Sequence, residues 1–202
     1  MSIAVFIQPP KNFGLEIHRW KKRVQSELNH QPYVLDPPHL TLINLEIQNE
    51  KKALNTISEI SKNLNPIELL INTTGVFWDD MLTGGHTIYF GIKNNKALKT
   101  LQKIIAEKLS VFTEDKDNSI NKHKFDEPFL SSQKKYGSPF VGGHWIPHFS
   151  ISSLHTKKDH PIINDFLLLK PNFKCIANKL SVWHINNNNH TKLKTFFLNE
   201  KS

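Results

Sequence analysis

"PHFSI", residues 147–151, sets a histidine and a serine one residue apart inside an apolar run, and a twin, "PHLTL", occupies residues 38–42. In a β-strand residues i and i+2 point the same way, so His148 shares a face with Ser150, and Phe149 shares the other with Ile151. That polar face either meets solvent or forms the floor of a site. Both pentapeptides read Pro-His-apolar-hydroxyl-apolar, and the sequence around them also reads the same way twice.

Before the first copy, "IAVFI" at 3–7 is a short apolar strand closed by Pro9 and Pro10, and Leu15, Trp20, Val24 and Leu28 carry helix-like spacing over 14–29. The histidine strand follows at 38–47. Leu54, Ile57, Ile60 and Leu64 then predict a helix over 51–64, and "PIELLINTTGVFW" at 66–78 a long strand or hairpin arm. After Gly84-Gly85, a turn signal, the order restarts. "HTIYFGI" at 86–92 is a strand, and Leu98, Leu101, Ile104, Ile105 and Leu109 mark a helix over 95–110. "PHFSISSL" at 147–154 repeats the histidine strand, 157–169 reads as a weaker helix, and "PNFKCIANKLSVW" at 171–183 repeats the long strand. Pro66 to Trp78 and Pro171 to Trp183 are both steps of twelve, and "LKTFFL" at 193–198 closes the second unit as "HTIYFGI" closes the first.

Two units of this length are too few and too long for a solenoid. They predict an α+β fold in one domain over 1–202, a bilobal pseudo-twofold duplication with repeat 1 at about 1–85 and repeat 2 at about 86–202. Each lobe is a mainly antiparallel sheet with helices on its outer face, and equivalent residues face one another across a cleft. The units differ chiefly before the second histidine: Leu28 to His39 spans 11 residues, Leu109 to His148 spans 39. This insertion, about 112–146, starts polar and charged and ends in "KKYGSPFVGGHWI", whose aromatics favour an ordered second half.

The chain has 202 residues, 38% of them hydrophobic, enough for one core. It lacks an apolar run of membrane-spanning length, and the N-terminal apolar stretch is too short for a signal peptide, so a soluble, cytoplasmic monomer is expected. Cys175, the single cysteine, reads as a buried structural thiol. The net charge of +8 suits a polyanionic partner, although only Arg19 and Arg23 are arginines. Lysine lacks the planar fork of arginine, which makes the charge a weak pointer to phosphate.

Paired histidines suit in-line displacement at phosphorus. With pKa values near 6.5, two imidazoles on opposite sides of a phosphodiester can act as base and acid. The hydroxyls two residues on can donate to non-bridging oxygens, where charge builds in the transition state. Such chemistry requires no metal or other cofactor. His-Glu-x-x-His, cysteine pairs and a Gly-x-Ser-x-Gly elbow are all missing, which argues against zinc hydrolysis and serine catalysis.

"HLTL" at 39–42 and "HFSI" at 148–151, one per unit, resemble the paired His-x-Thr/Ser-x motifs of the two-histidine (2H) phosphoesterases. Within them the chain is similar to the LigT-like group of 2'-5' RNA ligases and 2',3'-cyclic phosphodiesterases. The resemblance implies His39 and His148 as the catalytic pair and Thr41 and Ser150 as phosphate-binding hydroxyls. It further implies an RNA or small nucleotide substrate: a 2',3'-cyclic phosphate, a 2',5'-linked oligonucleotide or a cyclic nucleotide. A non-catalytic RNA- or nucleotide-binding module and an end-joining ligase are the alternatives. Many RNA-processing relatives carry a basic residue soon after the second motif, whereas "SSLH" at 152–155 offers only His155, followed by Lys157.

Tyr136, Phe140, His144 and Trp145 lead into the second motif, where they either wall a nucleobase or pin the insertion to the core. Lys134 and Lys135 are candidates for the missing cation or a solvated loop. Trp78 and Trp183, at equivalent repeat positions, read as strand-end packing, and His86 and His184, on or near strands, as structural residues, with lining of the cleft as the alternative.

Overall fold

A computed structural model of the chain describes residues 2–113, 125–186 and 189–199. The first unit runs β1 (Ser2–Ile7), α1 (Lys11–Leu28), β2 (Leu40–Glu46), α2 (Glu50–Lys62) and β3 (Ile67–Phe77). The second runs β4 (His86–Ile92), α3 (Lys96–Leu109), α4 (Phe129–Tyr136), β5 (His148–Leu154), α5 (Pro161–Leu167), β6 (Phe173–Ala177), β7 (Lys179–Asn186) and β8 (Asn189–Phe197). The expected alternation of strands and helices is present in order.

The strands form two antiparallel sheets, β2-β1-β7-β8 and β5-β4-β3-β6. Each sheet draws on both sequence units. β3 pairs with β4 of the following unit, and β7 returns to β1 of the preceding one. The histidine strands β2 and β5 are edge strands, and they pack against each other where the sheets meet.

The segment 171–183 differs from the single strand expected. It breaks at Asn178 into β6, which extends the second sheet beside β3, and β7, which belongs to the first. The break lets one short stretch serve both sheets. It also shifts the repeat by a residue: Phe6 faces Ser181 and Tyr89 faces Gly75, so Trp183 is the counterpart of Phe77 and not of Trp78. Likewise β8 pairs with β7 as β4 pairs with β3, but lies at its sheet's edge, where β6 lies in the other.

The buried face of α1 is Phe13, Ile17, Trp20, Lys21 and Val24. Leu15 lies off this stripe, 61% exposed, because two residues along a helix turn about 200°. Phe13 crosses to the second sheet, its ring 5.4 Å from Phe90, 5.2 Å from Phe149 and 4.9 Å from Phe173. Trp20 meets Phe166 of α5 at 5.0 Å. α3 packs on β2 of the first sheet, so the two units interlock around one continuous core. Phe13→Ala removes a fully buried ring beside the His148 strand, and a loss of about 3–5 kcal/mol in urea unfolding is expected.

From residue 125 the insertion is ordered as α4 and a loop that closes on α3. Gln102 Nε2 donates to the Phe140 carbonyl at 2.8 Å, and Ser132 Oγ to that of Val141 at 3.0 Å. Its charged first part, 114–124, lies outside the described residues. None of the described helices is long and apolar enough to cross a membrane.

Candidate active site

His39 immediately precedes β2, and His148 is the first residue of β5. Both follow a proline, whose fixed φ and missing N–H hold the chain extended, as does the restriction proline places on the residue before it. In both, that geometry brings the carbonyl two residues back onto the ring. His39 Nδ1 lies 2.7 Å from the Pro37 oxygen and His148 Nδ1 lies 2.7 Å from the Ile146 oxygen. A carbonyl only accepts, so each Nδ1 carries the proton and each Nε2 is the basic nitrogen. Neither Nε2 has a hydrogen-bond partner among the described residues.

A β-bulge follows each histidine at the same motif position. Val5 faces Ile43 but Phe6 faces Thr41, leaving Leu42 unpaired; Ile88 faces Ser152 but Tyr89 faces Ser150, leaving Ile151 unpaired. The bulge reverses the alternation, so that in β2 Leu40 and Leu42 are buried before it and Ile43 and Leu45 after it. Thr41 and Ser150 therefore stay on the half-buried face beside their histidines while the residues beyond, Ile43 and Leu45 in β2 and Ser152 and Leu154 in β5, turn into the core. Neither hydroxyl has a hydrogen-bond partner among the described residues, which leaves both free to donate to a ligand.

An aromatic ring supports each imidazole from the neighbouring strand. Phe6 stacks on His39 at 3.9 Å and 20°, while its counterpart Tyr89 lies 5.1 Å from His148. Phe77 stacks on Tyr89 at 4.3 Å and meets His148 edge-on at 4.9 Å. The Tyr89 ring lies across Gly75, where a Cβ would stand 2.4 Å from it. On the first sheet Ala4, Phe6 and Trp183 form a small cluster with Ile185, on the face opposite the main core.

The electrostatic surroundings of the two histidines differ. Burial lowers the pKa of His39 to about 3; its backbone hydrogen bond to Pro37 opposes this, and His190, Lys21 and His148 add to it by charge repulsion. Burial also lowers His148, opposed by its bond to Ile146 and by the Asp80 carboxylate. Lys21 is only 5% exposed on the apolar face of α1 and donates to the Tyr33 carbonyl in the loop leading to His39. Burial brings its pKa down to about 8 against the attraction of Asp36.

The structure thus brings His39, Thr41, His148 and Ser150 to the two strands that meet between the sheets. The other candidates lie elsewhere. Tyr136 and Trp145 are buried in the core, and His144 is held within the insertion by Pro139 O at 2.7 Å and the Phe129 ring at 4.7 Å. These three pin the insertion, and Lys134 is exposed on α4. Trp183 is buried as expected, but Trp78 is 44% exposed beside His86. His86 accepts from the Asp79 N–H at 3.1 Å, and His184 pairs with Glu50. Cys175 is half-buried.

Sequence reading passed over Phe6, Phe77 and Tyr89, whose positions only the strand register reveals. It also passed over Lys21, although a lysine four residues after Ile17 and three before Val24 stands in an apolar stripe.

A duplicated α+β fold with a histidine and a hydroxyl residue at matching points of two facing strands defines the 2H phosphoesterases. The family model of the 2'-5' RNA ligase superfamily matches residues 9–189, and the chain belongs to that superfamily. Its fold is similar to the crystal structure of TT0787 of Thermus thermophilus, with a TM-score of 0.68, 12% identity and full coverage of both chains. It is also similar to E. coli LigT complexed with 3'-AMP, with a TM-score of 0.54, 13% identity and 98% of each chain covered. A third structure, described as a phosphoesterase, has a TM-score of 0.56 at 12% identity over 98% of this chain and 99% of the other. No curated protein matches the chain.

Proposed function

We propose that the chain is a metal-independent phosphodiesterase acting on a nucleotide-containing diester, with His39 as general base and His148 as general acid. One observation carries this reading: two imidazoles, each fixed through Nδ1 by a backbone carbonyl, present an unpartnered Nε2 beside an unpartnered hydroxyl among the described residues. His39 Nε2 takes the proton of the attacking water as its oxygen bonds to phosphorus. The bond to the leaving ribose oxygen breaks on the far side, and that oxygen takes the proton from His148 Nε2. Thr41 and Ser150 donate to the non-bridging oxygens, and the product is a phosphomonoester. A substrate ribose hydroxyl in place of water gives transfer, and the reverse direction gives ligation.

The charge around the two rings supports the assignment. Charge repulsion from His190 and Lys21 opposes protonation of His39, whereas the Asp80 carboxylate favours a proton on His148. The pH dependence of kcat/KM follows. Its acid limb is the protonation of His39, at about 3. Its alkaline limb is the loss of the His148 proton, which burial moves below the ordinary 6.5. Between pH 7 and 9 kcat/KM therefore falls about tenfold per unit, while kcat falls later because bound phosphate anion retains the proton. A flat kcat/KM over that range would contradict the assignment.

The substrate test is a panel of 2',3'-cyclic phosphate ends, 2',5'-linked oligonucleotides and 3',5'-cyclic nucleotides, with products resolved into 2'- and 3'-phosphates. Turnover of at least one member in chelator is expected. Turnover of none would leave only a binding module.

A further inference from the structure

A third histidine stands in the site, on the His39 side only. His190, the second residue of β8, places its ring 5.7 Å from that of His39 and 6.1 Å from Phe6. Its Nδ1 lies 3.6 Å from Asp36 Oδ1, and the two side chains are 13% and 17% exposed. The carboxylate thus lies on the Nδ1 edge of the ring, at a distance longer than a hydrogen bond. Nε2 points away from it and has no hydrogen-bond partner among the described residues.

The His148 side has nothing comparable among the described residues. Phe77 and Tyr89 surround His148, and the charged group acting on it is the Asp80 carboxylate. The basic residue expected soon after the second motif is not supplied either, because His155 lies exposed just beyond the far end of β5. Lys21, the remaining cation near His39, is engaged with the Tyr33 carbonyl. An anionic diester between the two catalytic histidines therefore needs a further donor, and His190 has the position for one.

We propose that His190, beside Asp36, is a third substrate-contacting histidine, whose Nε2–H donates to a non-bridging oxygen of the phosphate on the His39 side. This rests on the phosphodiesterase reading above and adds to it a binding group contributed by the last strand. Asp36 Oδ1 lies on the Nδ1 edge of the ring, which leaves Nε2 as the nitrogen available to the phosphate. The groups facing His190 are Asp36, His39 and Phe6.

The test uses His190→Phe, which keeps an aromatic ring against Phe6 without a donor, and His190→Gln, which keeps an N–H donor. Adenosine 3'-monophosphate is the probe, titrated calorimetrically, and KM and kcat are measured on the best diester of the panel. A charge-assisted hydrogen bond corresponds to roughly ten- to hundredfold in affinity. His190→Phe is expected to raise Kd and KM by that factor with a smaller change in kcat, and His190→Gln to recover part of the loss. Wild-type affinity in His190→Phe, or equal losses in the two variants, would overturn the proposal. Full turnover by His39→Ala and His148→Ala would instead overturn the phosphodiesterase reading, so the two failures are distinct.

Discussion

His39→Ala and His148→Ala each lower kcat/KM for the best diester substrate by about 10²- to 10⁴-fold, the range of a lost general acid or base. The double variant falls little below the poorer single one, because base and acid act in one transition state and the second loss removes a partner already idle. His39 stacks on Phe6 and His148 packs against Phe77 and Tyr89, so His→Gln variants, which fill more of the space, accompany the alanines. Urea unfolding of all four separates chemistry from folding. Rates within threefold of wild type in correctly folded single variants would remove both histidines from the mechanism.

Thr41→Val and Ser150→Ala each lower kcat by about 10²- to 10³-fold, with a smaller change in KM. A donor aimed at oxygens that gain charge during reaction acts mainly on the transition state. Thr41→Val keeps the branched shape beside the bulge and removes only the hydroxyl, and Thr41→Ser, which keeps it, stays near wild type. The bulges at Leu42 and Ile151 explain why these positions are sensitive: they hold each hydroxyl on its histidine's face while the next core residue turns inward. Equal activity of Thr41→Val and Thr41→Ser would show that the hydroxyl is dispensable.

The pairing of a histidine with a hydroxyl was legible in the sequence because it is written twice. "PHLTL" and "PHFSI" occur at matching points of a duplicated order of elements, and period-two alternation suffices to put each hydroxyl on its histidine's face. What alternation does not show is a bulge, since β2 is apolar on either side of the phase change and β5 runs on into the buried serines Ser152 and Ser153. Nor does it show partner choice. Phe6 and Tyr89 lie under the histidines only because β1 and β4 run beside β2 and β5. The break at Asn178 is hidden for the same reason: "PNFKCIANKLSVW" has strand-like composition throughout, and only the competing edges of two sheets divide it.

His190 illustrates the remaining limit. It is 151 residues from His39 and belongs to no motif, and it reaches the site because β7 returns to β1 and carries β8 with it. The aromatics of the insertion left two readings open from sequence, a nucleobase wall or a pin on the core, and Tyr136 and Trp145 bury large apolar surfaces in the core.

Hydrolysis of a nucleoside 2',3'-cyclic phosphate by chelator-treated protein, followed by phosphorus NMR for wild type and His148→Ala, tests the paired-histidine mechanism most directly. The account predicts that wild type converts the cyclic diester signal into a single phosphomonoester and that His148→Ala leaves it essentially unchanged. A wild-type protein that converts the diester only with added metal, or a His148→Ala variant that converts it at the wild-type rate, would contradict it.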